Sequence, residues 1–303
     1  MGRQADANAI KPLPLRAGVA PSYLWIDDPA PGAALVFLLR RFPDVPEAVW
    51  RERMARGDVV DGAGERVAEA TVLKRGMRLW YYREIEDEAP LPFEETILHQ
   101  DQHLLVADKP HFLPTTPGGR FLRESLLVRL KNRLGIDDLT PIHRLDRETA
   151  GVVIFSVRPD SRGAYQSLFQ KRCIDKVYEA IAPQLPQHAF PLTYRSRLAD
   201  DGQFFRTAEV AGEANAETRV EVLKLLDAGL ALYRLHPHTG RKHQLRVHMA
   251  ALGAPIVGDA LYPVALACGA DDYARPLKLL ARTISFTDPL SGQPRRFDSA
   301  RAL

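Results

Sequence analysis

Residues 141–155 read Pro-Ile-His-Arg-Leu-Asp-Arg-Glu-Thr-Ala-Gly-Val-Val-Ile-Phe. The last four, rich in β-branched side chains, predict a buried strand entered at Gly151. Just before it, Asp146 stands among His143, Arg144 and Arg147. An acid among bases at the mouth of a buried strand suits catalysis, because reactive groups are often presented on loops held by a rigid scaffold. The same residues also read as a charged turn that merely solvates itself. The rest of the chain has to choose.

Toward the C-terminus, Asp160-Ser161 can start a helix that runs to about Arg172, with Tyr165, Leu168 and Phe169 on its inner side. Residues 176–181 read as a strand. Residues 219–225 and 230–235 form a hairpin around Asp227-Ala228-Gly229. A turn at 237–241 leads into a short helix at 242–252, and a late strand covers 277–286. Toward the N-terminus, a strand at 103–107 ends in Asp108-Lys109-Pro110. Residues 120–134 predict an amphipathic helix with Leu122, Leu126, Leu130 and Leu134 along one side. Its Arg123, Arg129, Lys131 and Arg133 read either as a face toward phosphate or as a solvated face. Strands outnumber helices and several are joined by hairpins, so the expected class is α+β, a mixed, largely antiparallel sheet.

Ahead of an acidic, proline-bearing linker at 84–92, residues 32–88 predict a compact module: two short helices and a glycine-punctuated β-ribbon. It resembles the small α/β RNA-binding module named after a ribosomal small-subunit protein, through the paired helices, Arg-Gly-Asp-Val-Val-Asp-Gly and Lys-Arg-Gly-Met-Arg-Leu. A docking appendage is the other reading. Residues 1–31, rich in Ala, Pro and Gly, are expected to be a loosely ordered arm, and 91–303 the main domain.

The 303 residues are 46% apolar and 26% charged, with 41 basic and 38 acidic side chains and a net charge of +3. That apolar share suffices for a packed core. The balance excludes binding of nucleic acid by bulk charge, so any such contact must be local. Residues 1–88 carry 13 basic and 14 acidic groups, which places the basic excess in the larger part. Two distant cysteines, Cys173 and Cys268, exclude a disulfide framework and a multi-cysteine zinc site. With neither an export leader nor a membrane-length apolar run, the chain is expected to be soluble and cytoplasmic.

A second constellation is Thr239-Gly240-Arg241-Lys242-His243-Gln244-Leu245-Arg246-Val247-His248. His236, His238, His243 and His248 raise a metal site, but their spacing is irregular and no acid follows until Asp259. An anion site fits better, with Arg241 and Lys242 near a helix start meeting phosphate. Tyr178, on the strand begun by Lys176, reads first as half-buried packing.

Taken together, the chain resembles the RluA-type pseudouridine synthases. The resemblance rests on His-Arg-Leu-Asp-x-x-Thr-(Ser/Ala)-Gly at 143–151, Lys-x-Tyr at 176–178, and Thr-Gly-Arg-x-His-Gln-Leu-Arg-Val-His at 239–248. Asp108-Lys109-Pro110 and Gly253–Asp259 also match, and the likeness covers about residues 91–300. It departs at Ala150 (commonly serine), at His111-Phe112-Leu113 (commonly glycine-containing) and at Leu280 (commonly histidine). The resemblance implies isomerisation of uridine to pseudouridine in ribosomal or transfer RNA after base flipping, by a monomer with no metal, cofactor or nucleotide. It implies Asp146 as the catalytic acid, Arg246 as its counter-ion and Tyr178 stacked on the uracil. Arg144, Arg241, Lys242, His243 and Lys109 would contact RNA, and His143 would be structural. A catalytically silent RNA-binding protein of the same fold is the alternative.

Overall fold

A computed structural model describes residues 12–85, 88–202, 206–266 and 271–303. Cys268 and the first eleven residues of the expected arm lie outside them. The chain divides into two units: one runs to Glu88 and includes Gly119–Arg123, and the other comprises Ala89–Gly118 and Glu124–Leu303.

The smaller unit contains β1 (Ser22–Trp25), α1 (Ala34–Arg41), α2 (Glu47–Arg56), β2 (Val59–Val60) and β3 (Arg78–Tyr81). Its three strands form an antiparallel sheet in the order β1-β3-β2. Ile26, Leu38, Trp50, Val59 and Leu79 are the buried centre of its core. The expectation of a loose arm is thereby corrected for residues 12–31: Leu13 and Ile26 are buried and Ser22–Trp25 pairs with β3. Four alternating residues among Pro and Gly are too short a signal to read as a strand, but β3 supplies the ladder they need. Helix α2 stops at Gly57, whose φ of +78° is the left-handed cap that glycine adopts freely.

The larger unit is α+β. Its elements are β4 (Thr96–Gln100), β5 (Leu104–Lys109), α3 (Leu126–Leu134), β6 (Thr140–Pro141), β7 (Ala150–Ser156), α4 (Pro159–Gln170), β8 (Ile174–Pro183), β9 (Leu192–Asp200), β10 (Thr207–Val210), β11 (Ala216–Leu225), β12 (Leu230–Pro237), α5 (Gln244–Ala251), β13 (Leu279–Thr287) and β14 (Pro294–Asp298). They build one sheet in the order β10-β9-β11-β12-β8-β13-β7-β5-β4, with β14 on β13 and β6 on β7. All pairings are antiparallel except β7 with β13. Every residue of β7 is buried, as its apolar run requires.

Helix α3 is shorter than the 120–134 expected: it starts after Ser125, whose backbone is extended, and residues 119–123 belong to the smaller unit. Its cations are not a free phosphate face. Arg129 meets Glu124 and Glu95 and two carbonyls, Arg133 meets Glu95, and Lys131 bonds the Asp137 carbonyl.

Candidate active site

The parallel step between β7 and β13 fixes where the acid-bearing loop emerges. Gly151 enters β7 at a φ of +116°, and a Cβ there would lie 2.2 Å from the Ala281 carbonyl oxygen. Only glycine permits that close approach.

The loop from Ile142 to Thr149 is held from its inner side. Thr115 Oγ1 donates to the Leu145 carbonyl at 2.8 Å and accepts the Leu145 N–H at 3.1 Å. His111 Nδ1 donates to the Glu148 carbonyl at 2.6 Å. Thr149 N–H returns to the Asp146 carbonyl at 3.1 Å. His143 Nε2 accepts the Ile154 N–H at 3.1 Å, and its ring stacks on Phe169. Burial pulls that imidazole down to about 3, so it stays neutral, as an acceptor must. His143 is thus tied to β7 by its ring nitrogen and to α4 by stacking, while it also lines the cavity described below.

Lys109 is a correction. Expected to contact RNA, it is fully buried, and Nζ donates to the carbonyls of Pro110, Leu113 and Arg147 at 2.7–3.0 Å. Burial pulls the ammonium down to about 7 against the nearby charges of Glu148 and Asp146. Three converging carbonyls use all three of its protons, so it pins the loop and touches nothing outside.

Asp146 is half-exposed, and among the described residues its carboxylate accepts no hydrogen bond. Two cationic or polar groups face it: Arg246 Nη1 at 3.8 Å and His243 Nε2 at 3.9 Å from Oδ2. Its sequence neighbours look elsewhere. Arg147 makes a bidentate pair with Asp271, and Arg144 is exposed.

Arg246 stands on α5 and is 1% exposed. The expectation that Asp146 is its counter-ion needs a refinement. Its close partner is Asp259, bonded through Nε at 2.8 Å and Nη2 at 2.6 Å, both side chains buried. Asp259 also accepts the N–H groups of Leu261 and Tyr262. Burial works against the guanidinium's charge, but Asp259's hydrogen bonds more than offset it and raise its pKa. What remains is Nη1, buried, without a hydrogen-bond partner, and 3.6 Å from Glu148 as well as 3.8 Å from Asp146.

His243 is also relocated. Rather than reaching for phosphate, its Nδ1 meets the Tyr262 hydroxyl at 2.9 Å while Nε2 faces Asp146. Burial lowers its pKa, with the Asp146 charge opposing. Since Tyr262 Oη already accepts the Thr207 N–H at 2.9 Å, its proton can go to His243 Nδ1. That leaves an N–H on Nε2, aimed at the carboxylate.

Tyr178, on β8, shares the cavity with Asp146; burial, and then the Asp146 charge, pushes its phenol up and keeps it neutral. Arg241 and Lys242 are exposed at the rim. Their turn is shaped by Gln244, whose Oε1 accepts from Thr239 Oγ1 at 2.6 Å and Arg241 N–H at 3.1 Å. The cavity holds about 430 Å³ and is also lined by Arg144, Lys176 and Leu279, a size that suits a small planar ligand. Among the described residues no three His, Cys, Asp or Glu side chains gather as a metal site. His248 bonds Ser196 and Thr218 instead.

Glu148 and Asp259 were not singled out from the sequence as partners of Arg246. Glu148 lies inside the motif and Asp259 in a matched segment, but their shared cation shows only in the fold. Two departures from the family pattern prove to be one: Ala150 and Leu280 are direct neighbours across β7 and β13, and both are fully buried. The pair is apolar, in the core and off the cavity wall.

Comparison with known proteins gives the family. Residues 103–251 match the family model described as RNA pseudouridylate synthase. The dual-specificity RNA pseudouridine synthase RluA of Haemophilus influenzae is 31% identical over 217 residues, 71% of this chain and 97% of that protein. An uncharacterized RNA pseudouridine synthase of Synechocystis is 29% identical over 233 residues, 75% of this chain and 78% of its own length. The solved structure of human RNA pseudouridylate synthase domain containing 4 superposes with a TM-score of 0.54 at 29% identity, covering 68% of this chain and 88% of that one. The site and these relatives together make the chain a member of the RluA family of RNA pseudouridine synthases, an isomerase acting on RNA.

Proposed function

We propose that the chain isomerises uridine in structured ribosomal or transfer RNA, with Asp146 as the catalytic residue. A base inside folded RNA has to leave its stack to be reached, and the cavity beside Asp146 would receive it. The bond from C1′ to N1 breaks, the uracil turns in place, and C1′ bonds to C5. The C5 proton is lost while N1 gains one, so the step balances without oxidant, reductant or water.

Asp146 acts on the ribose, as nucleophile at C1′ or base at the neighbouring carbon, and either role needs it ionised. The observation that carries the reading is the Arg246 Nη1 group: buried, without a hydrogen-bond partner, and 3.8 Å from an Asp146 carboxylate that accepts no hydrogen bond, with Glu148 beside it at 3.6 Å. Such a pair has its interactions free for the reacting state. Tyr178 stacks on the uracil. Arg144, exposed beside the cavity, fills the gap left by the flipped nucleotide, and Arg241 and Lys242 meet flanking phosphates, fixing position rather than sequence.

The test is tritium release from RNA carrying uracil labelled at C5. Asp146→Asn should bind RNA within a few-fold of wild type and release label at least about a thousandfold more slowly. Release at the wild-type rate would remove Asp146 from the chemistry.

A further inference from the structure

The sheet of the smaller unit has two unlike faces. One carries Ile26, Val59, Leu79 and Tyr81 into the core with α1 and α2. The other carries Tyr23 and Trp25 of β1 beside Arg78 and Trp80 of β3, because Tyr23 pairs with Trp80 and Trp25 with Arg78. Tyr23 is 43% exposed and Trp25 40% exposed. The Arg78 guanidinium lies 4.2 Å from the Trp25 ring centroid and 5.2 Å from that of Tyr23. Tyr23 in turn packs on the buried Trp80, their ring centroids 4.9 Å apart.

Among the described residues Arg78 makes no ion pair. Lys74 and Arg75, exposed in the turn that enters β3, add two more cations, against Asp27 at the exit of β1. One ring left half in water needs no explanation, but adjacent rings in a contiguous patch mark an interaction surface. A guanidinium spread over rings, without an acid to neutralise it, favours a ligand that is both planar and anionic. Unpaired nucleotides are such a ligand: every base offers a π-face, every linkage a negative charge. Duplex RNA hides its bases and offers only the charge.

We propose that this face is a stacking platform for unpaired RNA bases, with Tyr23 and Trp25 as the surfaces and Arg78 as the cation between them. It lies outside the residues matched to the synthase family model. It rests on RNA being the substrate class and not on the roles assigned to Asp146 or the cavity.

The chain supplies its own probe. Its three tryptophans are Trp25, Trp50 and Trp80; the last two are 1% and 5% exposed, so a contact quencher senses Trp25. Full-length protein titrated with an unstructured oligouridylate should show saturable quenching of tryptophan emission. Trp25→Ala should abolish the quench and weaken binding at least about fivefold, the low end for loss of one stacked base. Trp25→Phe should keep most of the affinity, and Arg78→Gln should weaken it, while affinity for a duplex of equal length changes less than twofold in both Trp25 variants.

Asp146→Asn should leave the quench intact, so a failure of the catalytic reading does not touch this test. Three results would overturn the proposal: no quenching of the wild type, equal losses for duplex and single strand, or a wild-type dimer that Trp25→Ala dissociates.

Discussion

Two segments line one cavity and treat their charges in opposite ways. The loop from Ile142 to Thr149 turns its backbone inward, where Thr115, His111 and the buried Lys109 meet four of its carbonyl and N–H groups. The turn from His238 to Lys242 is also shaped by hydrogen bonds, through Gln244 and Lys176, yet it sends Arg241 and Lys242 outward into water. One segment fixes a carboxylate against a buried guanidinium; the other presents long, exposed cations at the rim. Chemistry at one carbon demands placement to a fraction of an ångström. Phosphates on a folded RNA demand charge with latitude.

Breaking the inner anchor should show the largest effect. Lys109→Met removes three hydrogen bonds and leaves the carbonyls of Pro110, Leu113 and Arg147 without their donor. The expected loss is about 3 kcal/mol of stability or more, read from urea unfolding, with activity reduced even where the protein remains folded. If Lys109→Met unfolds like wild type, the loop is held by something other than this ammonium.

The outer segment should respond in the opposite sense. Arg241→Ala with Lys242→Ala removes two exposed cations, so stability should move by no more than about 0.5 kcal/mol. KM should rise about tenfold with kcat little changed, and the dependence of binding on salt should become shallower by about 1.5 in log–log slope. A fall in kcat at unchanged KM would place these side chains at the reacting atoms instead.

The same contrast explains how far the sequence could be read. The strand that follows the acid, the hairpin closed by Ala228 and Gly229, and the helix bearing Arg246 were legible because each is signalled within ten residues. Strand β9 was not. Leu192–Asp200 alternates exposed and part-buried residues rich in charge, and becomes a strand only because β11 and β10 flank it. The burial of Lys109 is hidden for a related reason: Asp-Lys-Pro does not show that the following loop folds back to place the Pro110 and Leu113 carbonyls, with that of distant Arg147, around one ammonium. Asp146 and Arg246 could be named from their motifs. That Asp259 takes two of the guanidinium's nitrogens, leaving Nη1 for Asp146 and Glu148, is a property of the fold alone.

The smallest expected effect sharpens the inner side further, because it depends on one proton. Folded His143 is held neutral: Nε2 accepts the Ile154 N–H, and burial pulls its pKa to about 3. In the unfolded chain the ordinary value is about 6.5. Between those values the unfolded state binds a proton that the folded state refuses, so stability rises with pH. The contribution is whole above pH 6.5 and is lost as pH falls toward 3. His143→Gln offers an amide oxygen in place of the ring nitrogen and cannot titrate. At pH 7.5 it should be less stable by about 1 kcal/mol, for a poorer hydrogen bond and the lost stacking on Phe169. At pH 4.5, two units below the ordinary value, the wild type has lost more than that advantage and the gap should reverse. Unfolding both proteins in urea at pH 7.5, 5.5 and 4.5 measures that gap directly. A gap that stays constant across the series would mean that the ring nitrogen facing Ile154 is not the neutral acceptor on which this end of the loop is built.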